Sequence, residues 1–265
     1  MKKAALFISI ILVFSLAGCD SFFSSSWGSP REFDPNNIDV NSRNINAWIN
    51  RSVCNPGLAE AVAIKVRQNL SSATGSEKAA LVNGGIILAV EASGIANSML
   101  NNALNPLKDL VDGISNEETS YEDVVDTVVD IMGGVQRDFI NNNGRVNANN
   151  LAHIINSSAA NDDGVLPKMK ADHIENPDDL VLATIVLAIS VFDMAGIDAA
   201  TANFDNMNVL ATQIGDDITY VGGGFNVDPN ASAEVKALAA CVNLITSDEL
   251  KETFLTKIIK DLFSH

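Results

Sequence analysis

Three cysteines, three histidines and one asparagine-rich turn are the residues whose types could do chemistry in this 265-residue chain. Cys19 closes an uncharged run from Ala4 to Gly18 and is preceded by Leu16, Ala17 and Gly18. Two small side chains ahead of a thiol leave room for a peptidase and present a sulfur that can be acylated. Residues 139–151 read FINNNGRVNANNL. The amides of Asn141, Asn143, Asn147 and Asn150 are spaced around Gly144 as if to wrap a hard cation, but none of these positions supplies the carboxylates from which calcium sites draw affinity. His153, His173 and His265 form no HExxH pair and no metal-spaced pair, and none has an evident nucleophile beside it. The stretch from His173 to Glu175 reads as a solvated loop. No GxSxG elbow or P-loop occurs, and the stretch from Tyr220 to Phe225 lacks the lysine and helix of a phosphate cradle. These absences predict a protein that is not an enzyme and carries no cofactor.

Lys2 and Lys3 ahead of the apolar run match the n-region and h-region of a secretory signal. The run is 15 residues long, short of the roughly 20 needed to span a bilayer as a helix. Leu16-Ala17-Gly18-Cys19 resembles the lipobox of bacterial lipoproteins. The resemblance implies cleavage between Gly18 and Cys19, followed by diacylglycerol on the Cys19 sulfur and a fatty acid such as palmitate on the new amine. Such a protein is anchored to a membrane of the cell envelope and faces the periplasm or the exterior. Asp20 resembles the signal that retains lipoproteins in the inner membrane of enteric-type envelopes, a rule other lineages ignore, so inner and outer membrane both stay open. Asn141, Asn143, Asn147 and Asn150 are similar in frame to a dockerin or EF-hand calcium loop, which would imply calcium-dependent assembly. Phe139 stands where such loops begin with aspartate.

Removing residues 1–18 takes away two lysines and no acids, leaving 15 basic and 33 acidic side chains, net −18. Such a surface excludes a phosphate-backbone binder, so no nucleic-acid partner is expected. Anionic headgroups would repel it too, leaving attachment to the acyl chains. With Cys19 lipidated, Cys54 and Cys241 remain. A disulfide between them would close a loop of about 187 residues, worth ~5 kcal/mol in the chain-entropy model. The competing reading is that Cys241, inside the apolar pattern VKALAACVNLI, is a small buried hydrophobe.

The elements that must position these residues read as an all-α domain: a single multi-helix bundle, or an irregular helical-repeat-like domain, over residues 42–265 after a disordered tether at 19–41. Residues 121–139 carry apolar side chains at spacings of three and four. Asn176-Pro177-Asp178-Asp179 has the parts of a helix start, and the residues after it, Leu180 to Phe192, are apolar all round, as in a central buried helix. Further helices are predicted over 57–70, 76–93, 94–104, 147–156 with Asn147 as cap, and 231–244. Thr246-Ser247-Asp248-Glu249 predicts a capping box for a last helix. The pairs Gly84-Gly85 and Gly133-Gly134 predict close helix crossings, since each glycine costs a helix about 1 kcal/mol. Glu91 and Asp193 lie in apolar helix patterns, where a carboxylate demands a partner. The leading functional expectation is a non-enzymatic, lipid-anchored protein-interaction or scaffold module with a protein partner. The alternatives are a periplasmic carrier of a small apolar ligand, held in a cavity between the helices at 81–90 and 180–192, and calcium-dependent assembly.

Overall fold

The computed structural model describes residues 38–53, 55–95, 98, 133–140, 144–160, 167–199, 201, 207–215, 218–221, 224–253 and 256–257. In chain order its elements are α1 (Ile45–Ser52), α2 (Pro56–Asn69), α3 (Gly75–Ser93), a helical stretch at 133–140, α4 (Gly144–Ser158), β1 (Ala159–Ala160), β2 (Lys168–Met169) and a 3-10 turn (Ala171–His173). They continue with α5 (Pro177–Ala195), α6 (Met207–Ile214), β3 (Ile218–Val221), β4 (Gly224–Val227) and α7 (Ala233–Thr246). The described chain is mostly α-helical.

Local chemistry sets most of the helix ends. Asn55 Oδ1 accepts from Leu58 N at 3.1 Å with Pro56 in the first turn of α2, and Ser232 Oγ accepts from Val235 N at 3.2 Å to start α7. Asn176 Oδ1 accepts from Asp178 N at 3.3 Å ahead of α5. That helix ends at Gly196, whose φ of 70° is the left-handed conformation that glycine adopts without penalty.

α3 is the hub, packed against α1, α2, α4 and α5, while α7 closes the far side against α4 and α5. The close crossing expected at Gly84-Gly85 is there. A Cβ on Gly84 would overlap Ile45 of α1, and one on Gly85 would lie 2.8 Å from Val66 Cγ1 of α2 and 3.2 Å from Ile154 of α4. Around this crossing Val62, Val66, Ala89, Leu151, Ile154, Leu180, Val186, Leu187, Ala239 and Leu244 form one continuous core. Burying each of the larger aliphatics contributes ~1.5–3 kcal/mol before the entropy of ordering is set against it. α5 is buried nearly all round, with Leu182, Ile185 and Ala188 forming its one partly buried edge.

Four sequence expectations change. First, two antiparallel strand pairs accompany the helices: β1 with β2, and β3 with β4 in the register Ile218↔Val227 and Tyr220↔Phe225. β-branched and aromatic residues either side of a glycine run favour the second pair, whose Tyr220 and Phe225 rings meet edge-on at 5.6 Å. Second, the last residues of the predicted tether are packed on the helices: Ile38 and Val40 are buried, and Trp48 Nε1 and Asn44 Nδ2 both donate to the Asp39 carbonyl. Third, α4 starts at Gly144, so Asn147 lies within the helix instead of capping it. Fourth, the capping box sits seven residues later than predicted. Thr246 ends α7, whereas Thr253 N donates to Thr256 Oγ1 at 2.8 Å and Thr256 N returns a bond to Thr253 Oγ1 at 3.2 Å. The helices predicted over 94–104 and 121–139 fall largely outside the described residues, although residues 133–140 are helical and Gly133 and Gly134 are buried.

The start of α5 carries a cost that can be titrated. Asp178 accepts from Thr253 Oγ1 at 2.6 Å. Burial pushes the neighbouring Asp179 carboxyl up to about 6, against the hydrogen bond from Asn176 and with help from the Asp178 charge. The folded state therefore holds this proton more tightly than the unfolded chain, so stability from this group grows as pH falls from about 6 towards 4, by at most ~3 kcal/mol. Asp179→Asn should raise stability at pH 7 by ~1–2 kcal/mol, the helix-dipole contribution of a charged aspartate being lost. Urea midpoints at pH 7 and 4.5 check this: the gain should shrink at the lower pH.

Candidate functional site

One face of α4 gathers the polar groups of the domain. Arg67 of α2 donates from Nη1 to Asn150 Oδ1 at 2.9 Å and more weakly to Asn149 Oδ1 at 3.4 Å, while Asn149 Nδ2 donates to Glu234 Oε1 of α7 at 2.7 Å. A guanidinium and a carboxylate are thus joined through one amide, and three helices are tied together. Below them a cleft of about 270 Å³ is lined by His153, Asn156, Ala159, Pro167, Ala233 and Lys236. Its polar groups are largely committed: Asn156 Nδ2 donates to the Ala233 carbonyl at 2.9 Å, and Lys236 Nζ to the Pro229 carbonyl at 2.5 Å. Burial and the Arg67 charge lower the pKa of His153, Glu234 opposing, so its imidazole is neutral at pH 7. The cleft can exchange hydrogen bonds with a small molecule. Among its described lining residues none is an activated nucleophile.

A second polar group lies in the core. Ser158 at the end of α4 and His173 of the 3-10 turn are 2% and 6% exposed, and Ser158 Oγ is 2.8 Å from His173 Nδ1. This corrects the expectation of a solvated His173 without a hydroxyl partner. The contact spans a turn and two short strands, so neither residue's neighbours in sequence signal it. A serine beside a histidine is the start of a nucleophilic arrangement, but both groups are sealed from solvent.

A third feature is at the surface. Arg145 of α4 and Asp193 of α5 form an ion pair in which the Asp193 side chain is only 10% exposed. The carboxylate placed in an apolar pattern has found its partner. Val146 and Met194, the next residue in each helix, are 50% and 51% exposed. Ile140, 48% exposed, follows Phe139, whose ring lies against Gly144 at the head of α4. Two of the four exposed large apolar side chains among the described residues thus adjoin, in sequence, the two members of one ion pair.

No known family model, curated protein or solved structure matches this chain. The site is accordingly read from its own residues.

Gly18, Cys19, Cys54, Asn141, Asn143 and His265 lie outside the described residues. Cys241 is a free thiol with no exposed surface, packed with its sulfur 3.8 Å from Met169 Sδ. Burial raises its pKa well above the usual thiol range, with Thr184 opposing, so it is a poor nucleophile. Of the calcium frame, Asn147 Nδ2 donates to the Ala92 carbonyl at 2.9 Å and Asn150 Oδ1 is occupied by Arg67. Among the described residues no group of three or more His, Cys, Asp or Glu could hold a metal, and no helix is long and apolar enough to cross a membrane.

Proposed function

We propose that this protein is a lipid-anchored protein of the cell envelope, held through acyl chains on Cys19, whose helical domain docks a protein partner without catalysing a reaction. The observation that carries the docking reading is that the Arg145–Asp193 ion pair joins α4 to α5 where the residues next to its two members, Val146 and Met194, leave half of their apolar surface exposed. Exposed apolar side chains framed by charge are what partner surfaces present. A mature chain of net charge −18 favours a partner whose contact surface is apolar at its centre and basic at its rim. About 19 residues separate Cys19 from the docked Ile38, which as a coil keeps the domain within ~25 Å of the bilayer. The partner is therefore a membrane protein or another envelope protein close to the same surface. The carrier reading finds less support: α3 and α5 pack tightly on their neighbours, and neither lines the cleft.

A photo-crosslinking residue at Val146, used in intact envelopes, tests the proposal. It should yield one discrete adduct, and the same residue at Glu77, near the start of α3 and roughly 20 Å along that helix from the Asn147 contact, should yield none. Met194→Glu should abolish the adduct while leaving helicity unchanged. Equal labelling from both positions, or an adduct indifferent to Met194→Glu, would refute the docking surface.

A further inference from the structure

The connector between α4 and α5 is held by side chains more than by its own strands. Pro167 O accepts from Asn243 Nδ2 at 2.7 Å, Lys170 N donates to Ser158 Oγ at 3.4 Å, and Glu175 N donates to Asn83 Oδ1 at 3.1 Å. β1 and β2 are only two residues each. The central fastening is the buried contact of Ser158 Oγ with His173 Nδ1 at 2.8 Å.

The direction of that bond follows from its neighbours. The Lys170 amide donates to Ser158 Oγ, and among the described residues His173 Nδ1 is the one acceptor within reach of the hydroxyl proton, so the hydroxyl donates and Nδ1 accepts. The imidazole is then neutral, with its hydrogen on Nε2. A proton arriving at Nδ1 would aim a second N–H at the serine oxygen and leave the hydroxyl hydrogen without its acceptor, in a place only 6% exposed. The charged groups that act on the ring are Asp172 and Lys170 of the connector and Lys78 of α3; α4 brings the Ser158 hydroxyl. Burial lowers the imidazole's pKa first, Asp172 opposes, and the two lysines add to the lowering.

We propose that the Ser158–His173 hydrogen bond is an acid-sensitive latch: at neutral pH it holds the 167–176 connector against α3 and α4, and it lets go when His173 takes a proton. The sign is fixed by linkage. A histidine whose folded pKa lies below its unfolded value near 6.5 contributes stability above that pH and loses it as the solution becomes more acidic. Asp179 acts in the opposite direction over pH 4–6, so the two groups separate by region: acid loosens the connector and tightens the start of α5. The latch depends on the fold alone, not on the reading of Cys19.

Amide hydrogen exchange on the full chain, corrected for intrinsic rates, tests it. Between pH 7.5 and 5.0, protection of the connector amides from Lys168 to Glu175 should fall at least tenfold while those of Leu180 to Leu187 change less than twofold. His173→Gln, whose side-chain oxygen still accepts from Ser158 but takes no proton, should keep the connector protected at both pH values with His153 still present. Ser158→Ala should show the acid level of exchange already at pH 7.5, and it serves if the glutamine variant does not fold. Connector protection that is the same at both pH values in the unaltered protein would overturn the proposal. So would a tenfold fall that persists in His173→Gln, or a proton-resonance titration of His173 with its midpoint at or above 6.5.

Discussion

With Cys19 replaced by serine, incorporation of labelled palmitate into the protein should fall to zero, while Cys54→Ser and Cys241→Ser leave it unchanged. Each methylene buried in the bilayer contributes about 0.8 kcal/mol, so one chain holds a protein marginally and two or more hold it stably. The mature surface cannot substitute for the chains, because a net charge of −18 is repelled by anionic headgroups. Serine keeps the size of the side chain and removes the sulfur on which the thioether forms. The acyl label is the decisive readout, since an uncleaved variant would keep its own apolar run from Ala4 to Gly18 and could stay with the membrane for that reason alone. Label retained by Cys19→Ser would place the acyl groups elsewhere and remove the basis for the envelope assignment.

Asn243→Ala should destabilise the domain by about 3 kcal/mol. Asn243 Oδ1 accepts from Phe225 N at 2.7 Å, and its Nδ2 donates to Phe225 O at 2.8 Å and to Pro167 O at 2.7 Å. One side chain on α7 thus pairs β4 as a neighbouring strand would and also anchors the connector that leads to α5. Alanine removes the hydrogen bonds that Asn243 supplies to three backbone groups, the N–H and carbonyl of Phe225, itself 1% exposed, and the carbonyl of Pro167. Each such group costs ~1–3 kcal/mol, against a total stability of ~5–15 kcal/mol for a domain. Urea unfolding followed by circular dichroism would measure the loss. A change below 1 kcal/mol would mean that water replaces the amide, and the clip would then be dispensable.

Periodicity made most of the helical frame legible. α2, α3 and α7 begin and end within two residues of their predicted bounds, and α5 opens at the predicted Asn176-Pro177 and runs three residues past Phe192, because the signals are local: Asn55 and Asn176 cap, Pro56 and Pro177 open, Gly94 and Gly196 close. The glycine step at 84–85 was legible for the same reason, since two unfavourable helix residues in an apolar stretch imply a close neighbour. Thr246-Ser247-Asp248-Glu249 misled because Thr246 and Ser247 spend their hydroxyls on α7 carbonyls, Val242 O at 2.9 Å and Leu244 O at 2.8 Å. A helix that continues to Thr246 removes the residue a cap would use.

The polar contacts were not legible. Asn147, Asn150 and Asn243 look like turn and surface residues by type, yet each bonds a group at least 18 residues away or on another helix. A buried amide is tolerated wherever a backbone group faces it, and which backbone group does so depends on how the helices cross. The same holds for Ser158 and His173, 15 residues apart, and for the Arg145–Asp193 ion pair.

The sequence by itself determined a mostly helical domain, its principal helix boundaries, its acidic charge and a thiol at the end of an apolar run, because each depends on composition or on residues within a turn or two of one another. Only the tertiary structure decided which buried amide meets which carbonyl, that His173 packs against Ser158, and that Arg145 meets Asp193. Those are meetings of distant residues, and helix crossing geometry sets them after the local chemistry has been spent.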